Sequence, residues 1–334
     1  MPTRRLRLAA LAFLVFVAGA GARAAEGGDA SSCLYAPAPP TELASADAVA
    51  DYASVLRTCR SADGREGVAI RAMTIAGAPI LLLADPRNLS TRLERAACWT
   101  CQDASEDSLS DTRMMRAVAQ SAEAPGLVHR GFLQNAGLTH GAAAGAFVTG
   151  DLCPSRKPLD RPFFDKLAGE APHAPVALSI SGLWLVHHFQ DYRWLLDRQA
   201  AGELDILWVD HTYHHPYRRG EPAARNFLLT DGVDADAEIL DTERLLIANG
   251  QTPSLFFRFP GLVSSAPLMQ AVRRHHLISL GADAWLALGQ RPGEGSIVLV
   301  HPNGNEEAGL AMFDRDMARG AIAEPLEPLT AAPN

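Results

Sequence analysis

The sequence predicts an α/β fold whose parallel sheet, open or closed into a barrel, carries its chemistry at the C-terminal ends of the strands. Three observations predict it. From residue 142 onward, short apolar runs alternate with segments of helical spacing. Several of these runs are apolar at consecutive positions, as strands buried on both faces are. The runs also end in reactive residues: Asp151 follows 146–149, His211 follows 205–209, Arg258 follows 255–257 and His301 follows 297–300.

The chain begins with what reads as a signal peptide, residues 1–24. Arg4, Arg5 and Arg7 form a basic start, residues 8–20 an apolar stretch, and Ala22-Arg23-Ala24 a small-residue cleavage site after Ala24. The stretch is too short for a comfortable transmembrane helix, and no later one reaches about 18 apolar residues. The expectation is an exported chain, periplasmic or extracellular, with no transmembrane anchor in the mature form. The formal net charge is −8, and removing the segment takes away four arginines and no acids. So acidic a chain is a poor partner for nucleic acid or an anionic membrane.

Residues 25–141 read as an accessory region without site chemistry. A linker at 26–40 precedes a helix over 42–59, its apolar rhythm set by Leu43, Val49, Tyr52, Val55 and Leu56. Strands are expected at 68–75 and 79–83, a helix over 88–97 and another over 112–122. The five cysteines are Cys33, Cys59, Cys98, Cys101 and Cys153. In an exported chain they oxidise, and the odd number leaves one free or paired between chains. The preferred bridge is Cys33 with Cys59. The C-x-x-C of Cys98 and Cys101 reads as a small-loop disulfide, or as one cysteine paired with Cys153; its other reading is a redox dithiol.

Residues 142–310 carry the alternating elements, and 311–334 form a C-terminal tail. Strands are expected at 146–149, 175–181, 205–209, 255–257, 277–280 and 297–300. Helices are expected at 161–168, 183–201, 234–249, where Gly250 caps the end, and 266–275. His187, His188, His275 and His276 fall in helical stretches and read as surface residues.

The densest chemistry is Asp210-His211-Thr212-Tyr213-His214-His215-Pro216-Tyr217, directly after the 205–209 strand. A helical turn or tight loop puts His211 and His215 on one side, where two imidazoles can hold a divalent metal if a third ligand arrives from elsewhere. The strand ends supply candidates for that ligand and for the rest of the chemistry: Asp151, Arg258, Asp283 and His301.

These residues resemble the motifs of the NodB-type polysaccharide deacetylases, carbohydrate esterase family four. His211-Thr212-Tyr213-His214-His215-Pro216 fits that family's H-[S/T]-x-x-H-P motif. Arg258-Phe259-Pro260, with the preceding helix, follows its Arg-x-Pro motif, and 297–301 its apolar strand ending in histidine; Asp283 with Trp285 matches a further motif loosely. The resemblance covers about residues 142–305 and implies a distorted (β/α) barrel of the polysaccharide deacetylase type. It implies a metal ion, zinc foremost with cobalt, nickel or iron acceptable to imidazole, on His211, His215 and Asp151. It implies Asp151 as base, His301 as acid, Arg258 orienting Asp151, and Asp283 tuning His301 or holding Arg258. Trp285 or Tyr217 would lie against a sugar; the chain lacks the family's Tyr after Pro260, and the backbone N–H of Gly261 or Leu262 would face the oxyanion in its place. The implied activity is metal-dependent hydrolysis of acetyl groups from an acetylated polysaccharide or oligosaccharide. The chain departs from the family where Thr149-Gly150-Asp151-Leu152-Cys153-Pro154 stands for Thr-Phe-Asp-Asp-Gly-Pro: Leu152 replaces the second acid. That departure keeps open an alternative, a catalytically weak glycan-binding relative in envelope or exopolysaccharide assembly. A third reading is an exported thiol oxidoreductase on Cys98 and Cys101. Asn303, Asn305 and Glu306 are expected to line the same mouth.

Overall fold

The computed structural model describes residues 33–37 and 39–334, so the signal segment expected at 1–24 lies outside the described residues. Val49–Ser61 (β1), Glu66–Ile75 (β2), Ala78–Ala84 (β3), Thr91–Arg95 (β4) and Trp99–Asp103 (β5) form an antiparallel sheet in the order β4-β3-β2-β1-β5. The expected strands at 68–75 and 79–83 are present as β2 and β3. Two expectations are corrected. The helix over 42–59 is instead a short 3-10 turn leading into β1, and the helix over 88–97 contains β4. β1 breaks register against β2 between Ala50 and Ala53 and again between Ser54 and Arg57. Such bulges shift the in–out alternation, so the apolar positions mimic a helical period. Helix α1, Arg113–Glu123, forms as expected, with the Thr112 hydroxyl accepting from the Met115 N–H as N-cap.

The cysteine pairing also differs from expectation. Cys33 bridges Cys98, and Cys59 bridges Cys101. Cys59 and Cys101 are directly opposed on β1 and β5, with Cα atoms 4.1 Å apart. Cys33 reaches Cys98 because residue 34 pairs along β4. The two halves of the C-x-x-C thus go to different partners, which removes the redox-dithiol arrangement. Cys153 is the free cysteine.

Leu127–His129 (β6) and Phe132–Gln134 (β7) form a hairpin that pairs with a later strand, Val263–Ser264. Phe147–Leu152 (β8), Ala174–Ile180 (β9), Leu204–Asp210 (β10), Phe256–Phe257 (β11), Ile278–Ser279 (β13), Ala284–Trp285 (β14) and Ile297–Val300 (β15) make the seven-stranded sheet; Val263–Ser264 is β12. Its order is β13-β11-β10-β9-β8-β15-β14, and every pair is parallel. The two edges, β13 and β14, are joined by residues 280–283 alone. At about 3.5 Å per residue that link spans less than about 20 Å, so the sheet curls until its edges approach each other. The result is a distorted (β/α) barrel.

Helices Arg161–Glu170 (α2), Gly182–His187 (α3), Phe189–Ala200 (α4), Ala235–Ala248 (α5), Ala266–Arg274 (α6) and Glu307–Ala318 (α7) surround it. The helix expected over 183–201 is thus split at His188. α7 was not anticipated, and the expected boundary at residue 310 falls inside it.

Strand alternation divides the barrel residues into two sets. Val148, Val176, Leu178, Ile206, Trp208, Val298 and Val300 pack in a cluster with Phe163 and Leu167 of α2, Leu195 of α4 and Phe313 of α7. Phe147, Ala177, Val209, Phe256, Ile297 and Leu299 face the other way and merge with Val68, Ile70 and Leu82 of the antiparallel sheet. That second set is the barrel interior, and the accessory sheet shares its core.

The joint is ionic as well as apolar. Arg71 of β2 meets Glu243 of α5 through two bonds, Nε to Oε2 at 2.7 Å and Nη2 to Oε1 at 2.9 Å, and both residues are fully buried. The Tyr52 hydroxyl donates to the same carboxylate at 2.8 Å, and Arg71 Nη1 donates to the His275 carbonyl. His275 lies between Ser54 and Asp236, at 2.7 and 2.8 Å. His275 and His276 are buried and His188 bonds the Ser155 carbonyl, which corrects the surface placement of these three.

Two predictions follow from this joint. Arg71→Ala leaves Glu243 charged and unpaired in the core and should cost about 3–5 kcal/mol, read as a lowered urea midpoint at constant slope. His276 has its pKa lowered to about 4, chiefly by burial and then by the Arg71 charge. Its folded value is depressed below the unfolded ~6.5, so its neutral form stabilises the fold fully above that pH. The contribution, up to about 3 kcal/mol, drains away as pH falls from ~6.5 toward 4. His276→Asn, which tolerates the φ of 59° there, should flatten the drop in urea midpoint between pH 7 and pH 4; an unchanged slope would contradict this account.

Candidate functional site

The same alternation that builds the interior aims the polar strand ends. Phe147, Thr149 and Asp151 share the inward side of β8; Val209 and His211 share that of β10; Phe256 and Arg258 that of β11; Leu299 and His301 that of β15. Asp151, His211, Arg258 and His301 therefore converge, and the distances bear this out. Arg258, fully buried, donates from Nη1 to Asp151 Oδ1 at 2.8 Å and to the Thr149 hydroxyl at 2.8 Å, and from Nη2 to the Gly281 carbonyl at 2.9 Å. The other oxygen of Asp151 lies 3.7 Å from His211 Nε2 and 3.9 Å from His301 Nε2. Burial alone would raise the pKa of Asp151, but the charges of Arg258, His211 and His301 lower it to about 2. The carboxylate is ionised at any working pH.

The histidine segment is a tight loop, with φ of 68° at Thr212 and 49° at His215. Such backbone persists only when its surroundings hold it. Asp210 Oδ1 accepts from the Thr212 N–H, and the Thr212 hydroxyl accepts from the His215 N–H. Glu238 of α5 accepts from the His214 N–H at 2.8 Å and meets His214 Nδ1 at 2.7 Å, while its carbonyl accepts from the Tyr213 N–H. His214 is thus a strut. Asp210 faces outward under α5, where burial and the Glu243 carboxylate push its pKa well up. His211, fully buried, donates from Nδ1 to the Arg258 carbonyl at 2.8 Å. A carbonyl only accepts, so Nδ1 carries a proton, and it is in the neutral ring that Nε2, facing Asp151, offers a lone pair.

His301 is backed by Glu306, with Nδ1 2.8 Å from Oε2, and Trp285 stacks on its ring at 5.5 Å. The Trp285 indole N–H donates to the same carboxylate at 3.0 Å. Burial would lower the His301 pKa, but contact with Cys153 and with Glu306 raises it well above its ordinary value. Asp283 was expected beside His301 or Arg258 and is found at neither. It meets His140 Nδ1 at 2.7 Å and accepts from the Ile297 N–H and the Ser296 hydroxyl. β14 turns its carboxylate toward the base of β15, and Glu306 takes the place foreseen for it.

Tyr217 is 62% exposed and stacks on Phe227, which meets His215 edge-on. Gly261 has a φ of 61°, and a Cβ there would come within 2.5 Å of the Phe227 ring. The glycine thus makes room for the ring that supports His215.

Leu152 is fully buried in the cluster with α2, pointing away from the interior. Leu152 therefore presents no ligand to the site. The next inward residue is Cys153. Its Sγ lies 3.4 Å from His211 Nε2, and Cys153, His211 and His215 bring their donor atoms within 4.8 Å of one another. Burial opposes ionisation of the thiol, but the imidazoles of His215 and His211 bring its pKa well below the usual range. The Cys153 carbonyl accepts from Asn303 Nδ2, which ties this turn to β15. His215 Nε2 is buried and without a hydrogen-bond partner. An orphaned imidazole nitrogen, a lone pair on His211 Nε2 and a third donor from the end of β8 fit a divalent cation of the zinc type. Sequence reasoning missed Cys153 and Phe227. Cys153 carried a signal, since it stands two residues after Asp151 on the same side of the strand.

No family model matches the sequence. Solved structures similar to the chain include a family 4 carbohydrate esterase from Bacillus anthracis, 18% identical, with a TM-score of 0.42 over 58% of this chain and 86% of that one. A chitin deacetylase from Colletotrichum lindemuthianum is 12% identical, with a TM-score of 0.42 over 58% and 90%. A CE4 family pseudoenzyme from Bacillus anthracis is 12% identical, with a TM-score of 0.39 over 62% and 78%. At these TM-scores the likeness by itself assigns no activity to this chain. The first and third of these are described as family 4 carbohydrate esterases.

Proposed function

We propose that the protein is an exported hydrolase that removes acetyl groups, N-acetyl foremost, from a glycan with the help of a divalent metal, zinc foremost. One observation carries the reading. Asp151 Oδ2 and His301 Nε2 face each other at 3.9 Å beside His211 and His215, whose donor atoms lie within 4.8 Å of each other and of Cys153 Sγ. Hydrolysing an unactivated acyl bond needs a polarised carbonyl, an activated water and a protonated leaving group, which metal, base and acid would supply here. The motif resemblance supports the same reading, as do the two disulfides, which suit an oxidising compartment. No helix among the described residues is long and apolar enough to cross a membrane.

The metal would be held by His211 and His215 with a donor from the end of β8, and when bound it would polarise the acyl carbonyl and acidify water. The rest falls to the chain's own residues. Asp151 Oδ2 is free of Arg258 and takes the proton from the attacking water. Arg258 holds Asp151 by its other oxygen, so the base keeps its direction while it works. His301 gives its Nε2 proton to the departing amine, and Glu306 steadies the imidazolium from Nδ1. The Gly261 N–H is proposed to face the oxyanion. Trp285 and the exposed Tyr217 offer aromatic faces to a sugar ring at the mouth. The alternative, a catalytically weak glycan-binding relative, drew on Leu152, whose side chain lies in the helix layer; it turns on whether Asp151 works as base, which acetate release decides.

The test is acetate release from acetylated chito-oligosaccharides and from acetylated envelope glycan, beside metal analysis of the purified protein. Wild type should carry about one metal per chain and release acetate, and His211→Ala should lose both. Separately, Asp151→Asn and His301→Gln should each lower kcat by roughly 10²–10⁴ with circular dichroism unchanged. Wild-type protein that binds no metal and releases no acetate from either substrate would sink the reading.

A further inference from the structure

We propose that the third metal ligand is the thiolate of Cys153 rather than the carboxylate of Asp151, which makes the site selective for thiophilic cations and leaves Asp151 free as base. This rests on the metal-dependent reading above and adds to it the identity of the ligand and the class of ion.

The argument begins with strand geometry. β8 runs to Leu152, whose side chain is locked among the helices. At the end of this strand the residues facing the interior are Asp151 and Cys153, while Leu152, which stands where the resembled motif has its second acid, packs among the helices. Asp151 is engaged elsewhere: its Oδ1 is bound by Arg258, which reaches it from across the barrel. Cys153 has no such commitment. Its backbone is pinned by Asn303, and its sulfur stands against His211 Nε2, the one nitrogen of that ring not used by the Arg258 carbonyl. His215 Nε2, buried and unpartnered, completes the group. Three heteroatoms with free lone pairs in mutual reach, supplied by two strand ends, make a ligand set; one thiol beside a histidine would not.

The cysteine count points the same way. The other four cysteines are spent in two disulfides, and Cys153 is the one left as a thiol. Two imidazoles and a thiolate prefer zinc, cobalt(II) or cadmium; magnesium, manganese and calcium prefer oxygen donors. A carboxylate in the same place would relax that preference.

The experiment uses the full chain, stripped of metal by a chelator, reduced mildly enough to spare the disulfides, and titrated anaerobically with cobalt(II). Wild type should bind one equivalent and develop the near-ultraviolet absorption of sulfur-to-cobalt charge transfer. Cys153→Ser should lose that band and bind at least roughly tenfold more weakly. Cys153→Asp, which restores an oxygen ligand should the serine variant misfold, should bind cobalt(II) without the band. Asp151→Asn should keep both band and stoichiometry while acetate release falls. In wild type, loading with zinc should protect Cys153 from alkylation by iodoacetamide. A band that survives in Cys153→Ser, or metal lost in Asp151→Asn with Cys153 intact, would overturn the assignment. Wild type that takes up no cobalt(II) would overturn it together with the metal-dependent reading. A sulfur-ligated ion in a protein that releases no acetate would uphold the ligand and remove the deacetylation.

Discussion

The buried guanidinium of Arg258 is the constraint on which the rest of the site depends. In the sheet order, β11 and β8 are separated by β10 and β9, so they cannot hydrogen-bond as neighbours. Arg258 joins them through the interior, from β11 to Thr149 and Asp151 of β8, and reaches Gly281 after β13 with its other nitrogen. Stripping water from a guanidinium and a carboxylate is costly, and only close, well-directed bonds offset it. The pair therefore cannot drift. It sets the distance across the barrel, keeps Asp151 ionised against the penalty of burial, and through the Arg258 carbonyl fixes the tautomer of His211. One residue thereby governs the direction of the proposed base and the ring orientation of a proposed metal donor.

A second set of contacts transmits order from the accessory sheet. α5 carries Glu243 on the turn that meets Arg71 and Tyr52, and Glu238 on the turn that holds His214 and Tyr213. The loop with positive φ at Thr212 and His215 is stored strain, and a helix anchored by a buried ion pair is a firm base for it. The accessory sheet contributes no residue to the candidate site, yet it clamps the helix that shapes the histidine loop. Its apolar face is continuous with the barrel interior, so the two parts share one core.

The barrel was legible in the sequence because its strands obey two simple rules, apolar continuity and inward alternation, and four of them lead into a reactive residue of the inward set. Asp151, His211, Arg258 and His301 could be picked out on those grounds, and the structure brings the four together. The accessory sheet was less legible. β1 carries two bulges, which erase the alternation that marks a strand, and β4 is built of Leu, Arg and Glu, good helix formers drawn into a strand by pairing with β3. Disulfide partners depend on strand register, which spacing alone does not give. Asp283 and Glu306 show a related limit: both follow strands, and only the path of the chain past β14 and β15 decides which carboxylate meets His301.

The first motif shows how a substitution read in one dimension changes meaning in three. In sequence, Leu152 looks like a lost acid and leaves Asp151 with two duties, ligand and base. In the barrel, position 152 faces the helices and is closed to the site, and the inward positions are Asp151 and Cys153. If the thiolate binds the ion, the two duties are again divided between two residues, each with its own support: Arg258 behind the carboxylate, Asn303 on the Cys153 carbonyl and His211 beside the sulfur. A thiolate donates more charge to its metal than a carboxylate, which weakens the acidification of bound water. A base held at a low pKa is a weak one. Both effects place more of the burden of such a reaction on the acid side, where Glu306, Trp285 and a strongly basic His301 are assembled.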